Sequence, residues 1–220
     1  MNKEWAELNK IMQLRLKKKD TFEEGIDTLL ELRKALMQEI LVFKNRLEVE
    51  EFSAMPYKNA KGYHNKTIAY SFWHIFRIED IVAHTLIAGD EQVFFRGDYQ
   101  RKINSSIITT GNELTAEEII RFSQELCIDE LYDYMEAVDA ASTEIIKKLT
   151  YGDIKCKIAD DNRKVLEKLG VVSKDENAYW LIDYWCNKDV KGLIQMSFSR
   201  HWIMHVEACI RIMDKLLSFR

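Results

Sequence analysis

Residues 198–205 read Phe198-Ser199-Arg200-His201-Trp202-Ile203-Met204-His205, and this segment places two imidazoles four residues apart. Side chains that are four apart on a helix are neighbours, with Cβ atoms about 5–6 Å apart. Both imidazoles can therefore turn toward one point and bind one cation there. The segment belongs to a stripe of residues three and four apart, which predicts one buried helix face: Ile194, Phe198, His201, His205, Ala208, Ile212 and Leu216.

A third histidine lies in a second predicted helix, over about residues 66–88. His74 shares the inward face of that helix with Ile78 and Ile81. Three neutral imidazoles from two helices can hold a divalent transition metal and leave a position open for water or substrate. The sequence therefore predicts a metal site formed by His74, His201 and His205. The alternative is that these are core histidines that bond to backbone, tyrosine or aspartate groups.

The rest of the chain also predicts helices. One proline and eight glycines in 220 residues disfavour a turn-rich β architecture. A long amphipathic helix is expected over residues 22–47, where eight apolar residues step by three and four: Phe22, Ile26, Leu29, Leu32, Leu36, Ile40, Phe43 and Leu47. A third long helix should begin at the capping box that starts at Thr115 and continue without a break. Its expected stripe is Ile120, Ser123, Cys127, Leu131, Tyr134, Val138, Ala141, Ile145 and Leu149. Four long amphipathic helices can hide their apolar faces only against one another, so we expect an all-α, four-helix bundle.

The length of 220 residues predicts a single domain. Residues 1–19 form a predicted helical arm that packs across the bundle or against a neighbouring subunit. Residues 150–189 predict two short helices inserted before the last long helix. The first of these ends at Gly170, and the second begins at a capping box that starts at Ser173. A short β-like run is expected at residues 107–110.

Composition and motifs exclude several classes of function. The net charge of −4 argues against a nucleic acid or an anionic membrane held by a basic surface. Neither a membrane span nor a signal peptide is visible, so a cytoplasmic protein with reduced thiols is expected. Trp202 stands where a zinc peptidase would carry its glutamate. The Glu-x-x-His pairs of di-iron bundles, the glycine-rich phosphate loop and the nucleophilic serine elbow are also missing from the sequence.

Several other residues have two interpretations. His64 could close over the metal as a fourth ligand, and Cys209 could supply a soft one. His84 is expected at the surface, because it lies about 280° round the helix from His74. Arg77 and Arg200 either grip a substrate carboxylate or form salt bridges, with Glu79, Asp80 or Glu207 as partners. Four tryptophans either pack in the core or form a ligand platform: Trp73, Trp180, Trp185 and Trp202.

Two segments carry a resemblance to a known family. Residues 71–80, with their Trp-His-Ile-x-Arg-Ile-Glu core, and the segment Arg200-His201-Trp202-Ile203-Met204-His205 resemble the DinB-like superfamily of four-helix-bundle metalloproteins. That superfamily includes bacillithiol transferases and mycothiol-dependent isomerases, and the likeness spans about residues 22–217. The resemblance implies a site for zinc, nickel or a similar ion with His74, His201 and His205 as ligands. It also implies a homodimer.

These observations lead to two functional hypotheses. In the first, the chain is a metal-dependent enzyme that generates a thiolate or a hydroxide at neutral pH. Thiol-dependent transfer, with a low-molecular-weight thiol as cofactor, comes from the resemblance, and metal-assisted hydrolysis of a small molecule is the generic chemistry of an open site. No catalytic general base can be named. In the second hypothesis, the chain is a non-catalytic metal-binding or interaction protein in which the ion is structural.

Overall fold

The computed structural model describes residues 2–220, and about 74% of the chain is helical. No β-strand occurs among the described residues, where the only β-type pairing is an isolated bridge between Lys157 and Asp189. The predicted all-α class is therefore confirmed. None of the helices in this part of the chain combines the length and the apolar character needed to span a bilayer.

Residues 2–220 contain eleven α-helices: α1 (Lys3–Arg15), α2 (Phe22–Arg46), α3 (Ile68–Asp80), α4 (Val93–Arg96), α5 (Tyr99–Lys102), α6 (Ala116–Glu125), α7 (Ile128–Lys148), α8 (Asp160–Leu169), α9 (Glu176–Cys186), α10 (Val190–Gln195) and α11 (His201–Leu217). Two π-helical segments extend them. Ile81–Ala88 continues α3 to Gly89, and Met196–Arg200 joins α10 to α11.

Four of these helices contact one another in a ring, in which α2 and α3 each touch both α7 and α11. The apolar stripe of α2 forms one wall of the core, and all eight of its predicted members are buried. The helix begins at Phe22 and ends at Arg46, within one residue of the prediction. The N-terminal arm, α1, lies along α2 of the same chain and buries Trp5 and Met12.

A buried ion-pair network links all four helices of the ring. Arg33 on α2 donates from Nη1 and Nη2 to the two carboxylate oxygens of Glu79 on α3, each at 2.8 Å. Trp202 Nε1 on α11 donates to Glu79 at 2.7 Å. Asp139 and Ser142 complete the network from α7. Arg33 is only 2% exposed and Glu79 is fully buried, so this pairing is shielded from water.

The prediction of one continuous third long helix is wrong. The capping box at Thr115 does begin α6, but Leu126 and Cys127 take extended backbone angles that end that helix before α7 starts. The backbone N–H of Cys127 donates to the carbonyl of Ile103, and its side chain is exposed rather than part of the stripe. On α6, Ile119 is buried in place of Ile120, whereas Ser123 is buried as predicted.

Three further local predictions need correction. Residues 107–110 are irregular, with bends at Ile108 and Thr109, rather than β structure. The cap of α9 is Asp175, which accepts from the Asn177 N–H, whereas Ser173 only bonds to Asp175. His84 is 2% exposed instead of lying at the surface. It sits in the π-helical segment Ile81–Ala88, and residues 68–86 are all buried, so no direction around this helix leads to the surface.

We expect Glu79→Ala to lower the free energy of unfolding by about 3–5 kcal/mol, because it leaves the Arg33 charge buried without its main partner. Urea denaturation followed by circular dichroism measures this loss. Glu144→Ala is the matched control, since the Glu144–Lys147 pair is exposed and should contribute far less. A Glu79→Ala protein as stable as the control would show that the network does not hold the ring together.

Candidate metal centre

The contact between α3 and α11 brings three histidines together. His74 lies on α3, and His201 and His205 lie one turn apart on α11. Their ring centroids are 4.6–5.0 Å apart, and one ligand nitrogen from each lies within 4.8 Å of the others. Two nitrogens bound to one zinc ion lie at most about 4.2 Å apart, so small side-chain rotations suffice to close the site on an ion.

Burial keeps the three imidazoles in the neutral form that binds metals. Each ring is no more than 5% exposed. Desolvation lowers the pKa of His74 to about 4, although its bond to the Thr110 carbonyl opposes this shift. Burial also lowers the pKa of His201 and of His205 well below 6.5, with a smaller contribution from the neighbouring imidazoles. No proton therefore has to leave these rings before an ion binds at neutral pH.

His74 is oriented by the segment between α5 and α6. Its Nδ1 donates to the Thr110 carbonyl at 2.7 Å, which leaves Nε2 as the acceptor for a cation. The Tyr70 ring stacks on the imidazole with 5.5 Å between centroids, and the Tyr70 hydroxyl donates to the carbonyl of Gly111. Gly111 has a φ of 76°, and a Cβ there would lie 2.9 Å from the Tyr70 ring. Glycine thus permits the turn that presents the Thr110 carbonyl.

The donor set fits a metal ion. Nδ1 of His201 and Nδ1 of His205 are buried and have no hydrogen-bond partner within residues 2–220. Core histidines bonded to ordinary polar neighbours would leave no such atoms. Imidazole nitrogens suit zinc, nickel, copper and iron, so the donor set selects a transition metal without identifying it. Among the described residues, these three histidines form the only such group of potential metal ligands.

A cavity of about 240 Å³ opens beside the cluster. The π-helical segment Met196–Arg200 runs directly into His201 and places Met196 and Ser197 in the cavity wall. Asn112 also lines the cavity. The remaining wall consists of apolar and aromatic residues, most of them from α9: Tyr63, Ile78, Trp180, Leu181, Tyr184 and Trp185. A metal at the three histidines would therefore face a space large enough for a small molecule.

The other candidate ligands lie outside the cluster. His64 accepts from Nη1 of Arg211 at 2.6 Å, so it does not close over the site. Burial raises the pKa of the Cys209 thiol to about 12, and this residue is not part of the metal-ligating group.

The predictions for the arginines and the tryptophans have different outcomes. Arg77 is fully buried, bonds to the Ile108 carbonyl and pairs with Asp80, as the salt-bridge interpretation predicted. Trp73 and Trp202 are packed in the core, Trp202 against Phe76. Trp180 is 49% exposed, and together with Trp185 it lines the cavity, so the four tryptophans do not form one cluster.

Sequence reasoning assigned no role at the site to Thr110, Asn112 or Ser197. Thr110 and Asn112 lie in an irregular segment, where no regular spacing predicts the direction of a side chain. Ser197 had a usable signal, because it lies four residues before His201 and so near the same helix face.

A scan with models of known protein families and a search of curated proteins both found no match. The assignment of a function therefore depends on the site itself.

We expect metal-free protein to lose stability as the pH falls from about 6.5 toward 4. The three buried histidines have folded-state pKa values below their unfolded value, so over this range the unfolded chain binds more protons. Each histidine adds up to about 1.4 kcal/mol per pH unit to the slope of the unfolding free energy against pH. Urea denaturation at several pH values measures this slope.

The slope should be shallower in His74→Gln, which removes one titrating ring. His64→Gln is the control and should retain the wild-type slope, because His64 lies outside the cluster. Equal slopes in all three proteins would mean that His74 takes up its proton as readily in the folded chain as in the unfolded one.

Proposed function

We propose that the protein is a metal-dependent enzyme that acts on a small molecule, with His74, His201 and His205 holding one divalent transition metal. The observation that carries this proposal is the cavity of about 240 Å³ in contact with all three imidazoles. A closed structural site has a fourth protein ligand, whereas three ligands beside a cavity leave room for water or substrate.

The chemistry follows from this environment. A divalent ion bound there would lower the pKa of a coordinated water or thiol, so that a nucleophile forms at neutral pH. The Thr110 carbonyl fixes the tautomer and orientation of His74. Trp202 connects the ligand helix to the buried Glu79 and so restrains the backbone beside His201. The largely apolar walls of the cavity lower the local dielectric constant, which strengthens electrostatic interactions at the site.

We propose one reaction class from the family resemblance and keep a generic alternative. The ring formed by α2, α3, α7 and α11 supports the proposal that the chain is a DinB-like four-helix bundle, and through that resemblance a thiol-dependent transferase that works as a homodimer. Metal-assisted hydrolysis is the generic alternative, because the same activation serves a bound water. In both cases the cavity takes the substrate, and α9, within the predicted insertion, supplies much of its wall.

Elemental analysis of protein purified without an affinity tag should find one transition-metal ion per chain. Metal-free protein titrated with Co²⁺ should then show one binding event by visible absorption. We expect His74→Gln, His201→Gln and His205→Gln each to weaken this binding by on the order of a hundred-fold or more, because each removes a direct ligand.

His64→Gln is the matched control and should bind Co²⁺ like the wild type. The absorption spectrum of the Co²⁺ protein should also change when a small thiol is added, because one coordination position is open. Retention of metal by all three variants would contradict the ligand assignment. A spectrum that no added ligand alters, together with a large rise in melting temperature on metal binding, would instead support a structural ion.

A further inference from the structure

The cavity beside the three histidines has an unusual composition for a site in a chain with 31% charged residues. Within residues 2–220, none of the side chains that line it is lysine, arginine, aspartate or glutamate. In the metal-free protein, a charged ligand would lose its hydration there without gaining a partner of opposite charge from the wall, because Lys66, which acts on His74, lies outside the lining.

Aromatic rings dominate the rest of the wall. Trp180, Tyr184 and Trp185 come from α9, and Tyr63 comes from the segment before α3. The Tyr63 ring meets the His205 imidazole edge to face, with 4.7 Å between centroids. Trp180 and Tyr184 meet in the same way at 5.6 Å. Ring faces and edges arranged around a space favour an aromatic guest, since such pairs add to the energy of burial.

The wall contains one buried hydroxyl without a partner and one amide with free donors. The Ser197 hydroxyl is buried, 1% exposed as a residue, and has no hydrogen-bond partner among the described residues. Asn112 accepts from the Thr110 hydroxyl through Oδ1, at 2.7 Å. This bond leaves the amide N–H groups of Asn112 available as donors. An unsatisfied buried polar atom is costly, so a ligand with one polar substituent would satisfy what the protein leaves unpaired.

The size of the cavity limits the guest. Its volume of about 240 Å³ equals about eight water molecules at liquid density. An apolar cavity of about 150 Å³ holds benzene. The space therefore suits one ring with a short substituent.

We propose that the cavity binds monocyclic aromatic molecules with one short polar arm, an alcohol, phenol or amide, that it favours uncharged ones while no metal is bound, and that aromatic molecules of this size are the substrate class of the site. The ring lies against α9, and the polar arm lies near Ser197 and Asn112, toward the histidines. The substrate role rests on the proposed function, whereas the binding preference depends only on the wall. Binding is therefore tested in metal-free protein.

The probe is 4-fluorobenzyl alcohol, followed through its ¹⁹F resonance in titrations of metal-free protein. We expect saturable binding, and binding of 4-fluorobenzoate at least ten-fold weaker, because the carboxylate brings an unpaired charge into the cavity. Absence of saturable binding by the alcohol would overturn the proposal. Equal or tighter binding of the benzoate would also overturn it, and would indicate that the Lys66 charge, which acts on His74, reaches the guest.

Two pairs of variants locate the guest. Trp180→Ala should weaken binding of the alcohol about five-fold, because one aromatic contact is lost. Tyr179→Ala changes the neighbouring exposed ring on α9, which does not line the cavity, and should leave binding unchanged. Both positions are exposed, so these proteins should fold. Equal effects of the two substitutions would contradict the assigned position of the ring.

Ser197→Ala should weaken binding by a similar factor without lowering stability, since it removes a hydroxyl that has no partner in the protein. Ser199→Ala is its control, because the Ser199 hydroxyl donates to the Gln195 carbonyl and lies outside the cavity wall. A Ser197→Ala protein that binds the alcohol as tightly as wild type would show that the polar arm lies elsewhere.

The outcomes separate this proposal from the proposed function. If the protein binds Co²⁺ but not the fluorinated alcohol, the proposed metal site stands and the proposed preference for aromatic molecules is refuted. If the protein binds the alcohol but no metal, the preference for aromatic molecules stands. The proposed function is then refuted, and with it the proposal that these molecules are substrates.

Discussion

The Arg33–Glu79 pair is the interaction on which the rest of the structure depends. Its members come from α2 and α3, and it gains partners from α7 and α11. Two buried charges are costly to desolvate, and that cost is offset only where hydrogen bonds use their remaining capacity. Here both Glu79 oxygens accept from Arg33, one of them accepts also from Trp202, and the other accepts also from Ser142. The Nε–H of Arg33 has no partner within residues 2–220, but loss of any of these helices from the network would leave buried charge with still fewer hydrogen bonds, so the network favours a single arrangement of the four helices.

This arrangement also determines where the histidines lie. Glu79 is five residues after His74 on α3, and Trp202 directly follows His201 on α11. The bond between Glu79 and Trp202 therefore fixes the two ligand-bearing helices relative to each other close to the site. Burial of the imidazoles lowers their pKa values and keeps them neutral. The same closed packing thus supplies both the position and the protonation state of the proposed ligands.

Periodicity predicted the parts of the fold in which side-chain direction follows from regular spacing. The α2 stripe is an example, and so is the inward placement of His201 and His205. The prediction was wrong where a helix is buried on every side and where the backbone is interrupted. His84 lies on a helix in which residues 68–86 are all buried, and Cys127 lies at an extended break where its N–H donates to the Ile103 carbonyl. Arg33 illustrates a different limit. It lies on the apolar stripe between Leu29 and Leu36, but its partners come from other helices, and no local pattern identifies them.

The π-helical segment before His201 holds an extra residue without turning the helix that follows. Each i→i+5 turn contains one residue more than an α-helical turn. Removal of a residue from positions 196–200 would therefore restore α-helical winding and leave both imidazoles pointing in their present direction, whereas removal of a residue between His201 and His205 would turn one imidazole about 100° away from the other. The same wide turn contributes Met196 and Ser197 to the cavity wall. Evolution can therefore reshape the cavity by the loss of a single codon in this segment and keep the metal ligands in place.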